Sequence, residues 1–128
     1  MARATLCAPM EAARSEEVIR AGRLEIRPAD ALVLGAGRPL KLSVREYGVL
    51  LALAHRAPRI VSREELSTVV WEHPLRDGDR SVDVYVHKLR TKLERALPEW
   101  RFIHTHVGFG YRFAAEPSHG FHTDATTR

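Results

Sequence analysis

The sequence predicts one small α+β domain, and three observations support this prediction. Short segments that alternate apolar and polar residues lie within residues 24–42. Two serine-initiated helical patterns and a third, cationic one follow between residues 43 and 97. A glycine-containing hairpin pattern follows at residues 101–113. With 128 residues, 45% of them hydrophobic and 28% charged, the chain has the composition of one ordinary globular domain and lacks room for a two-domain enzyme.

The charge balance is basic. Lys and Arg number 20 against 16 Asp and Glu, which gives a formal net charge of +4. Only Lys41, Lys88 and Lys92 are lysines, so arginine dominates. This bias reflects either a GC-rich coding genome or selection for a forked cation that binds phosphate. In both cases the charge favours a polyanionic partner such as nucleic acid.

Other features exclude several classes of protein. Cys7 is the only cysteine, so an intrachain disulfide and a cysteine-ligated metal cluster are excluded. No apolar run approaches the roughly 18 residues of a membrane span, and charged residues such as Arg3 and Glu11 interrupt any signal-peptide pattern. The sequence also lacks a Ser/His/Asp set and a glycine-rich phosphate loop. We therefore expect a cytoplasmic protein that is not an enzyme, needs no cofactor and has no membrane partner.

Residues 24–42 predict an antiparallel meander of three strands, over residues 24–27, 31–34 and 38–42, joined by Pro/Asp and Gly turns. We interpret residues 1–22 as a flexible tail or linker, with a weak helix from Met10 to Ala21 as the alternative. Residues 114–128 are polar and aperiodic, and we predict that they are disordered. The predicted domain therefore spans residues 23–113.

Two predicted helices begin with the same N-terminal capping motif. Ser43 with Glu46, and Ser62 with Glu65, both fit a capping box, in which the serine and the acid satisfy free backbone N–H groups reciprocally. The first helix has its apolar stripe at Tyr47, Leu50, Leu51 and Ala54 and is stopped by Pro58. The second is shorter and ends near Trp71, and a loop follows from His73 to Gly78.

The third helix, predicted over residues 80–97, has two contrasting faces. A buried stripe is predicted at Val82, Val86, Leu89, Leu93 and Leu97. The opposite, exposed face is mostly polar and cationic and carries Ser81, Val84, Tyr85, Lys88, Thr91, Lys92 and Arg95, with His87 and Arg90 at its flanks. This face is either simply solvated or reads bases in a DNA major groove, where Lys88 meets guanine and Val84 a thymine methyl.

The order of the predicted elements favours the interpretation that this face binds DNA over the interpretation that it is only solvated. A capped helix, a short capped helix, a loop, a cationic helix and a C-terminal β-hairpin make a winged helix-turn-helix plan. The segment from Ser43 to Phe113 resembles the effector domain of OmpR/PhoB-type response regulators. The resemblance is carried by SREEL followed by VW, by RSVDVYVHKLRTKLE, and by the ending GFGYRF. It implies a third helix in the major groove and a hairpin wing at the adjacent minor groove.

The resemblance also implies roles for individual residues. Those implied to face bases are Val84, Tyr85 and Lys88, and those implied to sit at phosphates are Trp71, Arg80, His87, Arg90, Thr105 and Tyr111. We assign four further residues to the same interface, namely Ser81, Thr91, His106 and Arg112. The loop at residues 73–79 matches a family loop that touches RNA polymerase, and the residues we expect to do so are Pro74, Leu75, Arg76 and Asp77.

The sequence departs from the family pattern in three places. Val107 stands where the family wing carries an arginine for the minor groove, which leaves only His106 or Arg112 as a nearby cation. His87 replaces a common arginine of the third helix and removes a permanent charge. Residues 1–22 cannot hold a phosphoacceptor receiver domain, so we expect a free-standing winged helix, since the sequence opens with Met1, or else a fragment of a longer regulator.

The leading interpretation is a sequence-specific transcription factor that binds double-stranded DNA, with RNA polymerase and a second copy on tandem sites as further partners. An architectural nucleoid protein with little sequence preference and a protein-interaction module are the alternatives. His104 and His106 share one face of a predicted strand, but no third ligand is spaced to complete a metal site, and the same holds for His119 and His122. We therefore predict no metal.

Overall fold

The computed structural model describes residues 17–118. They form a four-stranded antiparallel sheet, three helices and a second, three-stranded antiparallel sheet, which combines one short strand between the first two helices with two strands after the third helix. The predicted α+β architecture is therefore confirmed. None of the helices in this range combines the length and the apolar character needed to cross a bilayer.

The first sheet consists of β1 (Ile19–Ala21), β2 (Leu24–Arg27), β3 (Leu32–Gly35) and β4 (Arg38–Pro39), paired in chain order. Leu24, Ile26 and Val33 turn inward from this sheet and are buried, as the alternation of apolar and polar residues predicts. This sheet contains one strand more than the three predicted for it. Its β1 pairs Ile19 with Ile26, so the expected boundary between tail and domain at residue 22 is wrong and is corrected to include β1.

The C-terminal boundary also differs from the prediction. The last strand continues to Pro117, and the Ser118 N–H donates to the carbonyl of Glu99 over 2.8 Å. Residues 114–118, expected to be disordered, are therefore ordered because they pair with the preceding strand. The rest of both predicted tails, residues 1–16 and 119–128, lies outside the described residues.

The first two helices begin at the predicted serines, and the helical segments end at His55, shortly before Pro58, and at Trp71, as predicted. Helix α1 (Val44–His55) has the complete capping box, with Glu46 N–H donating to Ser43 Oγ over 3.2 Å and Ser43 N–H donating to Glu46 Oε1 over 2.8 Å. Helix α2 (Arg63–Leu66) continues into a π-helical turn (Ser67–Trp71). Its capping box is only half formed, since Ser62 accepts from Glu65 N–H while the Glu65 carboxylate pairs with Arg56 and Arg59.

Helix α3 (Ser81–Ala96) packs across α1 and provides the centre of the core. Every residue of the predicted stripe is buried, namely Val82, Val86, Leu89, Leu93 and Leu97. The partners from α1 include Val49, Leu50 and Leu53, which are fully buried. The buried face of α1 is thus rotated from the predicted one, because Tyr47 and Leu51 are only half-buried.

One prediction for α3 is only partly correct, because Lys92 is exposed along part of its side chain while its ammonium group is bound within the protein. Lys92, expected on the exposed face, bends towards the first sheet, and its Nζ lies 2.6 Å from Oε1 of Glu46 and 3.1 Å from the carbonyl oxygen of Lys41. Glu46 itself is buried, although its sequence position suggests only a capping role. The ion pair explains why Glu46 can be buried and why Lys92 turns towards it, since a buried carboxylate needs a charged partner.

The second sheet consists of β5 (Ile60–Val61), β6 (Trp100–His106) and β7 (Gly110–Pro117), in the order β5-β7-β6. Strands β6 and β7 form the predicted hairpin, whereas β5 was not predicted. Gly110 has a φ of 140°, and a Cβ there would collide with the carbonyl oxygen of Val61. Glycine at this position therefore allows β5 to approach the hairpin. We call β6, β7 and the turn at residues 107–109 the wing.

Candidate nucleic-acid interface

Helix α3 presents an outward strip of side chains opposite its buried stripe, which we call the recognition face and define as Val84, Tyr85, His87 and Lys88. Val84 is 45% exposed, His87 and Lys88 are exposed, and Tyr85 is half-buried. The Nζ of Lys88 lies 4.9 Å from the centre of the Tyr85 ring, within the range of a cation–π contact. The structure thus brings together the three residues that the resemblance implies to face bases.

Trp71 supports one edge of the recognition face from the end of α2. Its ring meets that of Tyr85 edge to face, with 5.5 Å between the centroids. The guanidinium of Arg45 also lies 5.2 Å from the centre of the Trp71 ring, and its Nη1 donates to the carbonyl of Val70 over 2.8 Å. Trp71 is half-buried, so it both packs between α1 and α3 and remains in reach of a ligand.

The start of α3 is set by Asp79. Its Oδ1 accepts the backbone N–H of Ser81 over 2.9 Å, which satisfies one of the free donors at the helix start. These hydrogen bonds from Ser81 hold the pKa of Asp79 below its usual value, so the carboxylate is charged at neutral pH. Arg80 is exposed and Ser81 half-buried beside it, both at this end of the recognition face.

Arg90 and Thr105 join α3 to the wing. Nη2 of Arg90 donates to Oγ1 of Thr105 over 2.8 Å, and Thr105 is exposed. Arg90 is half-buried, with its Nε shielded from solvent. These two residues were predicted separately as phosphate contacts, and the structure places them side by side. Thr91, the next residue of the helix, is half-buried.

Tyr111 is placed differently from the expectation. Its side chain is buried, and its hydroxyl donates to Oδ1 of Asp83 over 2.6 Å. Burial, reinforced by the Asp83 carboxylate, raises the pKa of Tyr111 to about 12. The hydroxyl hydrogen that a phosphate would accept is thus already used within the protein.

Sequence reasoning did not single out the two residues that complete this arrangement. Asp83 also lies 3.2 Å from Nε of Arg63, and Nη2 of Arg63 donates to the carbonyl of Asp79 over 3.2 Å. Asp83 therefore links α2, α3 and the wing. The available signal was an acidic residue in the first turn of an otherwise cationic helix, but its partners lie far away in sequence.

His106 and Arg112, the two basic residues expected to compensate for Val107, are engaged in contacts within the wing. Nε of Arg112 donates to Nε2 of His106 over 3.1 Å, and its Nη2 lies 3.6 Å from Glu116. His104 lies on the same face, because β6 pairs it with Arg112, and its Nε2 lies 2.9 Å from the carbonyl oxygen of Ala114. Strand alternation places this set on the face of the hairpin opposite Thr105 and Tyr111, which contact α3.

The loop between α2 and α3 presents only part of the predicted polymerase-contact set. Pro74, Arg76 and Asp77 are exposed, whereas Leu75 packs against the core. Ser67 Oγ donates to the carbonyl of His73 over 3.0 Å, and the Asp79 N–H donates to that of Arg76 over 3.0 Å. The loop is therefore held at both ends.

The structure offers no alternative site based on a metal within residues 17–118. No three His, Cys, Asp or Glu side chains there lie close enough together to hold an ion. His119 and His122 lie outside the described residues.

A three-helix core with an exposed cationic third helix and a flanking hairpin defines a winged helix-turn-helix domain. The chain belongs to the family described as "Transcriptional regulatory protein, C terminal", whose model matches residues 37–113. This confirms the resemblance to OmpR/PhoB-type regulators, and the family is one of regulatory proteins, not of enzymes.

Two curated relatives illustrate the similarity. The chain is 36% identical over 94 residues to the transcriptional regulatory protein CreB of Escherichia coli, which covers 73% of this chain and 41% of CreB. It is 35% identical over 100 residues to the phosphate regulon transcriptional regulatory protein PhoB of Klebsiella pneumoniae, which covers 78% of this chain and 43% of PhoB. The chain thus spans less than half the length of these relatives.

Solved structures agree with this assignment. The DNA-binding domain of Klebsiella pneumoniae RstA in complex with the RstA box superimposes with a TM-score of 0.70 at 33% identity, covering 77% of this chain and 98% of that one. The DNA-binding domain of Escherichia coli CpxR gives a TM-score of 0.67 at 28% identity, covering 77% of this chain and 97% of that one.

Proposed function

We propose that this chain is the DNA-binding unit of a bacterial transcriptional regulator. It binds double-stranded DNA with α3 in the major groove and the wing at the adjacent minor groove. The observation that carries the proposal is the recognition face, in which Val84 and Lys88 project outward from a helix whose opposite side is wholly buried. A single helix of this kind fits the B-DNA major groove, which is about 12 Å wide. The RstA domain in complex with its DNA box supports the proposal by its similarity.

The residues divide by the chemistry that they offer. Lys88 reads guanine, and Val84 and Tyr85 make apolar or edge contacts with neighbouring bases. The residues that neutralise or bind phosphates are Trp71, Arg80, Ser81, His87, Arg90, Thr91 and Thr105. We reassign Tyr111 from a phosphate contact to a positioning residue, because its hydroxyl binds Asp83.

Three consequences extend this proposal. The exposed side chains of the loop, Pro74, Arg76 and Asp77, contact RNA polymerase when the regulator activates. A second copy occupies a tandem site on the same duplex. A protein with these partners resides on the nucleoid, in the cytoplasm.

The proposal is tested by selecting bound duplexes from a random pool and measuring competition by unselected DNA at physiological salt. We expect a preferred site, and a logarithm of affinity that falls with the logarithm of salt at a slope of about −5 to −7, from about 5–8 neutralised phosphates. A slope shallower than about −2 would contradict the phosphate assignment. Equal affinity for selected and unselected DNA would indicate architectural binding, and no binding to any duplex would refute the proposal.

A further inference from the structure

The wing tip carries two large apolar side chains that are almost fully exposed. Val107 is 88% exposed and Phe109 is 73% exposed, on either side of Gly108. We propose that these two side chains form an apolar wedge that enters the DNA minor groove and partly unstacks a base step. This inference rests on the proposed function and names how the wing acts at that site.

The tip is held at a fixed position beside α3. The Phe109 N–H donates to the carbonyl of His106 over 2.8 Å, and Gly108 has a φ of 84°, so the turn is tight and defined. Below the turn, Thr105 is bound to Arg90 of α3, and Tyr111 to Asp83. Because major and minor grooves alternate across a duplex, a hairpin flanking a helix in the major groove meets the phosphate ridge and then the minor groove.

The chemistry of the tip is apolar and not cationic. Val107, Gly108 and Phe109 carry no charge, and the two basic residues nearest in sequence to the turn are hydrogen-bonded to each other, with Nε of Arg112 donating to Nε2 of His106. Arg112 also faces Glu116. An arginine that reads the minor groove electrostatically therefore has no equivalent at the tip. Apolar side chains in the minor groove instead act as wedges that open a base step and bend the duplex.

An apolar contact and a phosphate contact differ in how they change the salt dependence of DNA affinity. A phosphate contact releases counterions and contributes about −0.9 to the slope of log affinity against log salt. Insertion of Phe109 releases none, so the Phe109→Ala change should lower the affinity for the preferred site about tenfold with the slope unchanged. In the Phe109→Ala variant, the bend of the duplex and the unstacking of the base step should decrease together with the affinity.

The experiment uses the full chain and the preferred duplex. Bending is measured by energy transfer between the two duplex ends, and unstacking by 2-aminopurine fluorescence at each step under the wing. The variants are Phe109→Ala, Val107→Ala and Val107→Arg. The matched control is Val44→Ala, which removes an equally exposed apolar side chain (85%) from the start of α1.

Binding of the unaltered chain, or of Val44→Ala, should raise 2-aminopurine fluorescence at one base step. With Phe109→Ala, this rise should be smaller. Val107→Arg should steepen the salt slope by about one, because it adds a cation at the tip. Unchanged affinity, bend and fluorescence in Phe109→Ala would overturn the wedge while leaving DNA binding intact. A shallower salt slope in Phe109→Ala would overturn it too, because the residue would then act through phosphates. Loss of binding by the unaltered chain would instead refute the proposed function itself.

Discussion

The hydroxyl of Tyr111 in the wing donates a 2.6 Å hydrogen bond to the carboxylate of Asp83 on the first turn of α3. Arg63 of α2 lies 3.2 Å from the same oxygen of Asp83. The Asp83 carboxylate thus fixes the wing relative to α3. Tyr111, which was predicted to contact a DNA phosphate, therefore binds Asp83 within the protein instead.

Removal of the hydroxyl should destabilise the domain. We expect Tyr111→Phe to lower the free energy of unfolding by about 1–2 kcal/mol, because the bond goes to a charged acceptor that keeps Arg63 as a second partner. Denaturant unfolding measures this change. Tyr85→Phe is the control, since the ring of Tyr85 makes the contacts to Trp71 and Lys88. Equal losses in both variants would show that the hydroxyl of Tyr111 contributes nothing specific.

The same contact predicts a dependence on alkaline pH. The folded state raises the pKa of Tyr111 from 10.0 to about 12, so it retains a proton that the unfolded chain releases first. The stability due to this proton is complete below pH 10 and is lost as the pH rises towards 12. An absorbance titration of the three tyrosines should show a late step that Tyr111→Phe abolishes. A late step that persists in this variant would assign it to another tyrosine.

The pair of Glu46 and Lys92 predicts a second stability effect. Burial alone raises the pKa of Glu46, but hydrogen bonds from Lys92 and Ser43 outweigh it, and the pKa lies below the usual 4.5. Lys92→Met should cost about 2 kcal/mol, less than for a fully buried pair because Lys92 is 40% exposed. The Glu46→Gln, Lys92→Met double variant should recover part of this loss, since no buried charge is left unpaired.

Lys88→Met is the matched control and should cost less than Lys92→Met, because Lys88 is exposed and contacts the Tyr85 ring without pairing with a buried carboxylate. The contribution of Glu46 is present above pH 4.5 and should disappear as the pH falls, since acid protonates the unfolded chain before the folded one. Urea unfolding across this pH range checks both statements. A double variant less stable than Lys92→Met would show that the charge of Glu46 is not the cause.

Local patterns were sufficient to predict much of this fold. The Ser43 capping box and the spacing of Val82, Val86, Leu89 and Leu93 depend only on neighbouring residues, and both were predicted correctly. Strands β1 and β5 were missed because each has three residues or fewer and forms only by pairing with a distant strand. Glu46 and Lys92 are 46 positions apart, and no local pattern relates them.

The same distinction applies to the candidate interface. The buried stripe of α3 determines its opposite face, so Val84 and Lys88 could be placed outward from the sequence alone. The partner of the Tyr111 hydroxyl could not be predicted, because Asp83 comes into reach only when the wing packs on α3. Sequence periodicity therefore predicts which side chains are exposed better than it predicts which exposed groups are free.

The loop before α3 makes a prediction about activation. Arg76→Ala and Asp77→Ala should abolish transcriptional activation and leave DNA affinity intact, because both side chains are exposed. Leu75→Ala should instead lower stability, since Leu75 packs against the core. In-vitro transcription and DNA titration of the same preparations separate the two effects. Parallel loss of activation and affinity in Arg76→Ala would show that the loop only supports the fold.

The recognition face predicts a separation between reading and anchoring. Lys88 lies near the middle of the exposed face, one turn beyond Val84, so it can meet the O6 and N7 atoms of guanine. Lys88→Ala should therefore cost about 1–3 kcal/mol on the preferred site and relax specificity at one or two base pairs. The same substitution should change the affinity for scrambled DNA much less.

Arg80→Ala provides the matched anchoring variant, because Arg80 is an exposed cation at the start of α3. It should weaken binding to all sequences about equally and reduce the salt slope by about one. Arg90→Ala, which should act in the same way, is a poorer comparison because it also removes the hydrogen bond to Thr105 and so disturbs the wing. Both Lys88→Ala and Arg80→Ala are measured on preferred and scrambled duplexes at several salt concentrations. If Lys88→Ala lowers both affinities by the same factor, Lys88 contacts a phosphate and the assignment of the reading face is wrong.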